Sequence, residues 1–438
     1  MRIVMFTNTY VPMVGGVALS VDRFTRGYRE RGHRVLVVAP DYADRTEPET
    51  ETLRIPSIEK FNNSDFSLAV PLGGDIERTI EAFRPQIIHS HHPYLLGSLA
   101  LREAEAHELP IVFTHHTMYE HYTHYVPLPY KPVRNYLKKI ATLYGNLCDR
   151  IIAPSESLAA ELKRRGVKTP IRVAPTGVDI ETYAKGDAAA VRRRFEIPDD
   201  AFLIGHVGRL AEEKNLLFLA RSVAEAMRSI PEARFAVIGA GPAREEMEAL
   251  FRDAEMADRV HFTGTQKNQN LVDAYHAMDL FAFASKTETQ GMVLVEALAA
   301  GCPLVALDAP GAREVVRDGE NGRLIGKEET ARFAEAIVSI ARMNPEEREQ
   351  LIGQARDSAK PFAVGRCVET VLDLYEELLN IQRAEGTAPR KAGEWAAFFK
   401  RLAEEWELLQ QQIRIAAESV IEAASEEQED SETGQEMR

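Results

Sequence analysis

Short apolar runs alternate with amphipathic stretches along most of the chain. Ile3–Thr7 and Val35–Ala39 are buried-strand patterns, separated by the amphipathic stretch Leu19–Arg31. Ile87–His89, Ile111–Thr114, Arg150–Ala153 and Ile171–Pro175 continue the series. A second series begins at Phe202–Val207 and runs through Phe235–Ile238, Val260–Phe262, Leu280–Ala284 and Pro303–Leu307. Strands that are apolar on both faces and alternate with helices predict parallel sheets covered on both sides. Two such series, joined across Gly177–Pro198, predict an α/β protein of two doubly wound domains. Ligands of open α/β sheets bind beyond the carboxyl ends of the strands, so the cleft between the domains is the expected site.

The pattern changes after Phe362–Ile381, a single helical stretch. Gly386–Pro389 reads as a linker. Trp395, Phe399, Leu402, Trp406, Leu409, Ile413, Ala416 and Val420 then recur at 4-3 spacing, a heptad seam. It predicts a helix that self-associates or docks on the body, with a homo-oligomer through 395–420 as one outcome. A helix lying in a membrane interface is the rival, since Trp395, Phe398, Phe399 and Trp406 cluster at one end. Residues 426–438 read as a disordered acidic tail.

Composition narrows the class. The chain has 438 residues, 45% hydrophobic and 27% charged, as expected of a globular protein of two ordinary domains. Its three cysteines are scattered without metal-ligand spacing, which predicts reduced thiols in a cytosolic compartment. The opening strand is too short for a signal peptide's apolar region, and no apolar run is long enough to span a bilayer.

The net charge of −14 is unevenly placed. Residues 383–438 hold seven Lys/Arg against thirteen Asp/Glu, a net of −6. Residues 131–172 hold ten Lys/Arg against three acids, a net of +7, and Lys131, Arg134, Lys138 and Lys139 begin that run. A basic segment in an acidic protein points to an anionic partner, lipid head groups or a phosphorylated substrate; the alternative is a solvated helix face. No recognition motif accompanies the charge, which argues against nucleic acid.

The candidate chemistry centres on Glu288 and Glu296, eight residues apart across Gly291. Gly291 opens a helix that Gly301 and Pro303 close. The backbone N–H groups at such a helix start, at Gly291, Met292 and Val293, suit an anion. A phosphate flanked by two acids that accept hydroxyl hydrogen bonds describes a sugar-nucleotide site. Gly15 and Gly16 follow the first strand directly. Gly208, Arg209 and Lys214 follow the first strand of the second series, where fixed cations would stabilise a departing diphosphate. Gly239, Gly241 and Pro242 end the next strand, and Gly264, Thr265 and Gln266 the one after. Phe113–Tyr125 contains His115, His116, His121 and His124, whose irregular spacing is poor for a metal site. The chain contains no Asp-x-Asp, the usual metal anchor for a sugar nucleotide.

Together these motifs resemble the retaining glycosyltransferases of family 4, which have the two-domain GT-B fold; the resemblance covers roughly residues 1–380. It implies that Glu288 contacts the hydroxyls of the donor sugar, Glu296 the ribose, and Arg209 and Lys214 the diphosphate. Gly15 and Gly16 would approach the phosphates, with Gly241, Thr265 and Gln266 near the nucleotide. The histidine beside the donor sugar falls at His116, with His115 as the other candidate. The run His116-Thr-Met-Tyr119-Glu120-His121-Tyr122 is similar to that of bacterial enzymes that glucosylate diacylglycerol, which implies UDP-glucose as donor and places Tyr119 and Tyr122 near the acceptor. The implied mechanism is metal-independent and front-face: the leaving phosphate takes the acceptor's proton, and no protein nucleophile is needed. The basic run, with Tyr130, Tyr136, Leu137 and Tyr144, would dock the first domain on the inner face of the cell membrane. A soluble acceptor, a sugar-nucleotide epimerase on the same scaffold and a non-enzymatic assembly protein are the alternatives. The expected domains are 1–185 on the acceptor side and 186–360 on the nucleotide side. Segment 361–382 returns to the first domain, and 383–425 is the heptad helix.

Overall fold

The computed structural model describes residues 1–13, 15–43, 51–58, 68–69, 75–116, 118, 130–385 and 400. The heptad seam, the acidic tail, Tyr119 and Tyr122 lie outside the described residues.

Two parallel sheets form the body. The first has seven strands in the order Thr52–Ile55, Arg34–Pro40, Arg2–Phe6, Ile87–Ser90, Ile111–Thr114, Arg150–Ala153 and Ile171–Val173. The second has six: Val260–Gly264, Arg234–Ile238, Leu203–Val207, Leu280–Phe283, Leu304–Leu307 and Gly322–Ile325. Ile3 and Met5 pack with Val35, Val37 and Tyr375 on one face, while Val4 and Phe6 pack with Leu36, Leu101 and Phe113 on the other. Successive side chains of a strand point to opposite faces, so continuous apolar runs are what a sheet covered on both sides requires. Two edge strands, Thr52–Ile55 and Gly322–Ile325, were not expected from the pattern. Each is only four residues long and carries an arginine, so neither presents an apolar run.

Helix Val364–Glu385 follows a short turn, Lys360–Phe362, and packs on the first domain. Leu374, Tyr375 and Leu378 join the core that holds Ile3 and Val21. Glu377 on this helix accepts from Arg150 at 2.9 Å and Arg172 at 2.8 Å. The chain therefore crosses between the domains twice, once at 177–187 and once at 360–364. Val178 ties the two crossings together: its N–H donates to Phe362 O at 2.9 Å and its carbonyl accepts from Val364 N–H at 3.0 Å.

Candidate active site

Among the described residues, the predicted donor-side segments and His116 all follow the carboxyl ends of strands, and the Thr289–His116 bond brings two of these ends together; Arg134, Lys138 and Lys139 lie instead on helix Tyr130–Leu147. Helix Met292–Ala300 starts at Gly291, whose φ of 71° is a left-handed conformation that glycine adopts at little cost. Residues 288–290 lie beneath Gly311, where a side chain would overlap Glu288 Cβ and crowd the backbone of Gln290. Glu288 accepts from Lys214 Nζ, which brings together two residues 74 apart in the chain. Arg209 pairs with Glu213 one turn along.

The loop bearing Arg209 is laced to its neighbour. Gly208 N–H donates to Ile238 O at 3.0 Å, Leu210 N–H to Ala240 O at 2.9 Å, and Ala243 N–H to Leu210 O at 2.9 Å. Gly239 and Gly241 permit this approach: added side chains would overlap the carbonyls of Gly208 and Leu210. The structure thus gives Gly241 a packing role in shaping the loop. Gln266 donates to Thr263 O at 2.9 Å, and Thr265 is exposed beside it on the rim of this loop pair.

Glu296 sits one turn inside its helix, with only 6% of its surface exposed. Tyr275 OH donates to its Oε2 at 3.1 Å, and Arg23 Nη2 lies 3.5 Å from Oε1. Burial raises its pKa, against the opposing pull of Arg23 and the tyrosine hydroxyls. Arg23 comes from helix Gly16–Glu30 of the first domain, and its Nη1 donates to Gly177 O at 2.9 Å. Gly16, on the first turn of that helix, faces Met292: a side chain there would come within 3.6 Å of the methionine methyl. The paired-glycine loop and the start of helix Met292–Ala300 are therefore neighbours.

His116 occupies the opposite wall. Its carbonyl accepts from Thr289 Oγ1 at 2.8 Å, so the residue after Glu288 touches the residue predicted beside the sugar. Its ring is buried and its Nε2 is 2.8 Å from His91 Nδ1. Burial, with neighbouring His92, His89 and His115, holds its pKa well below the ordinary histidine value, so the ring is neutral at pH 7. Two further bonds close the cleft at its edge: Thr176 N–H to Gln290 Oε1 at 2.7 Å and Ser157 N–H to Glu314 Oε1 at 3.0 Å.

Sequence reasoning missed three participants. Arg23 reads as an ordinary polar position of an amphipathic helix. His91 and His206 carried a weak signal, a histidine at or just past the end of a strand. His206 Nδ1 pairs with Ala282 O at 3.1 Å, and burial lowers its pKa to about 4.

The basic run 131–172 requires correction as a single docking surface. Arg150 and Arg172 turn to Glu377, while Arg164 and Arg165 both pair with Glu161. Arg134, Lys138 and Lys139 remain together on helix Tyr130–Leu147; the side chain of Lys131 lies outside the description. Tyr144 is not interfacial. It is fully buried, donates to Gly97 O at 3.0 Å and packs edge-on to Phe113. Among the described residues no helix is long and apolar enough to cross a membrane.

The profile described as Glycosyltransferase Family 4 matches residues 14–182, and that described as Glycosyl transferases group 1 matches residues 187–358. The chain is 30% identical over 393 residues to the alpha-monoglucosyldiacylglycerol synthase of Acholeplasma laidlawii, covering 87% of this chain and 98% of that protein. It is 29% identical over 332 residues to the GDP-mannose-dependent alpha-mannosyltransferase of Mycobacterium tuberculosis, covering 74% and 83% respectively. The crystal structure of HepE from Anabaena in complex with UDP shares the fold, with a TM-score of 0.71 at 21% identity over 86% of this chain and 100% of that one.

Proposed function

The chain belongs to glycosyltransferase family 4, and from that membership we propose that it transfers glucose from UDP-glucose to diacylglycerol with retention at the anomeric carbon. The observation that carries the reading is the bond from Thr289 to the His116 carbonyl at 2.8 Å. It supports the reading by setting the residue proposed beside the sugar against the loop that leads into the helix proposed for the diphosphate.

In this reading the departing diphosphate lies over the N–H groups of Met292 and Val293, and Arg209 and Lys214 neutralise the charge it gains. Lys214 exchanges Glu288 for phosphate as the donor enters, which frees Glu288 to accept from the sugar hydroxyls. Glu296 keeps lone pairs for the ribose while Arg23 and Tyr275 hold it. The leaving phosphate takes the acceptor's proton, so the site needs neither a protein nucleophile nor a metal. The absence of Asp-x-Asp from the sequence motivates the metal-independent route.

Glucose and diacylglycerol are supported by the product named for the Acholeplasma relative, and uridine by the UDP complex of HepE. The membrane face is proposed at helix Tyr130–Leu147, with Arg134, Lys138 and Lys139 meeting anionic lipid at the inner surface of the cell membrane.

The test is nucleotide release from UDP-glucose with EDTA present, with and without diacylglycerol in anionic liposomes, products resolved by mass. Release that depends on diacylglycerol and yields a hexosyl lipid supports the proposal. Release without a lipid product sinks the lipid acceptor, and turnover only with GDP-mannose sinks the donor.

A further inference from the structure

Behind His116 lies a row of buried rings that the proposed chemistry leaves unused. The His116 and His91 rings stack with centroids 5.1 Å apart and planes at 24°. His91 lies on His89 at 4.2 Å. His89 spends both nitrogens, one on Thr114 Oγ1 at 2.7 Å and one on Tyr375 OH at 2.5 Å. His91 spends one, Nδ1, on His116 Nε2 at 2.8 Å; its Nε2 is buried and finds no partner among the described residues.

The backbone around His91 is pinned from several sides. His91 N–H donates to Phe6 O at 2.9 Å, Ser90 Oγ donates to His92 O at 2.8 Å, and Asn8 N–H donates to His92 Nδ1 at 3.1 Å. Gly97 packs so closely beneath the His92 carbonyl that no side chain fits there. The backbone that carries His91 is therefore held, and its ring lies between those of His89 and His116.

Two neutral imidazoles joined by one hydrogen bond share a single proton in it, and which ring supplies that proton sets both tautomers. Were His116 the donor, His91 would keep its own proton on the orphaned Nε2. A buried N–H without a partner is the costlier of the two orphans. His91 therefore donates from Nδ1, and His116 is left with its proton on its own Nδ1.

We propose that His91 is a positioning residue, which fixes His116 as the tautomer whose Nδ1–H donates and holds its ring in place. The inference rests on the reading of His116 as the residue beside the donor sugar. A neutral donor of fixed direction is suited to a sugar hydroxyl, and a ring free to flip would offer a lone pair as often.

The experiment is a double-mutant cycle on kcat, with UDP affinity and thermal unfolding measured on each variant. Asparagine carries an amide nitrogen close to the place of Nδ1; leucine keeps the volume and removes the bond. His91→Leu should lower kcat about 10- to 100-fold, as for groups that orient metal-binding histidines, with UDP affinity unchanged. His91→Asn should regain most of that loss. In the His116→Ala background His91→Leu should add almost nothing, because the ring it positions has gone. An equal loss in both backgrounds, or an asparagine variant no better than leucine, would overturn the proposal. Should His91→Leu not fold, His91→Asn against His91→Gln makes the same comparison, with glutamine expected to be the poorer. Wild-type turnover in His116→Ala would instead remove His116 from the site, while an inactive His116→Ala beside a fully active His91→Leu sinks this inference alone.

Discussion

Arg23 Nη2 and Glu296 Oε1 face each other at 3.5 Å across the domain boundary, with side chains only 11% and 8% exposed. Removing one partner of a buried pair costs more than the pair contributes, because the other charge is left without compensation. Arg23→Met should therefore destabilise the protein by about 3 kcal/mol in urea unfolding. Glu296→Gln added to it should recover most of that loss, since the amide needs no counter-charge. Should the double variant be as unstable as Arg23→Met alone, the pairing with Glu296 is not what Arg23 supplies.

That pair also marks how far the sequence could be read. The parallel strands were legible because a strand buried on both faces must be apolar throughout, as Val35–Ala39 and Phe235–Ile238 are. Helix Met292–Ala300 was legible from Gly291 and Gly301 at its ends. Arg23 was not, because its role arises only when helix Gly16–Glu30 is set against another domain, and spacing within one helix carries no trace of that. The row His89, His91 and His92 is not legible in the sequence for a related reason. Its rings acquire meaning from Tyr375 and His116, and those are distant in the chain. Tyr144 erred in the other direction: an aromatic residue among lysines suggested a membrane surface, but its face of helix Tyr130–Leu147 turns inward onto Phe113.

Lys214 and Glu288 are in contact with side chains 16% and 20% exposed, which holds the ammonium beside the loop that leads into helix Met292–Ala300. Lys214→Ala should lower turnover by about 10² to 10³, the usual effect of removing one preorganised charge-stabilising group. Steady-state kcat checks this, and an unchanged rate would take Lys214 out of the diphosphate site.

Gly239 and Gly264 both have positive φ, 146° and 70°, but differ in the space around them. A side chain on Gly239 meets the Gly208 carbonyl, whereas nothing lies within 4 Å of one on Gly264. Gly264→Ala should cost about 1 kcal/mol, the backbone preference alone. Gly239→Ala must also push back the loop that carries Arg209, so it should cost about 3 kcal/mol and weaken UDP binding. Thermal unfolding and calorimetric UDP titration separate the two; equal effects would mean that close approach at Gly239 does not shape the site.

Five buried histidines make stability depend on mild acid. Burial lowers His89 and His92 to about 3 and His206 to about 4, and holds His91 and His116 well below the ordinary value. These rings stay neutral in the folded protein at a pH where the unfolded chain protonates them, near 6.5. The unfolded state then binds more protons, so stability is complete above pH 7 and falls as the pH drops from about 6.5 towards 4. Each ring contributes a slope of about 1.4 kcal/mol per pH unit in that window. Glu296 and Glu103, whose pKa values burial raises, work in the opposite sense. Unfolding at pH 5.5 should accordingly bind roughly three to five protons onto these rings, and His206→Gln should reduce the uptake by about one. Proton uptake measured potentiometrically during urea unfolding decides it. A value near zero would mean that the rings are already charged or hydrated in the folded protein, and the neutral His91–His116 pair would fall with them.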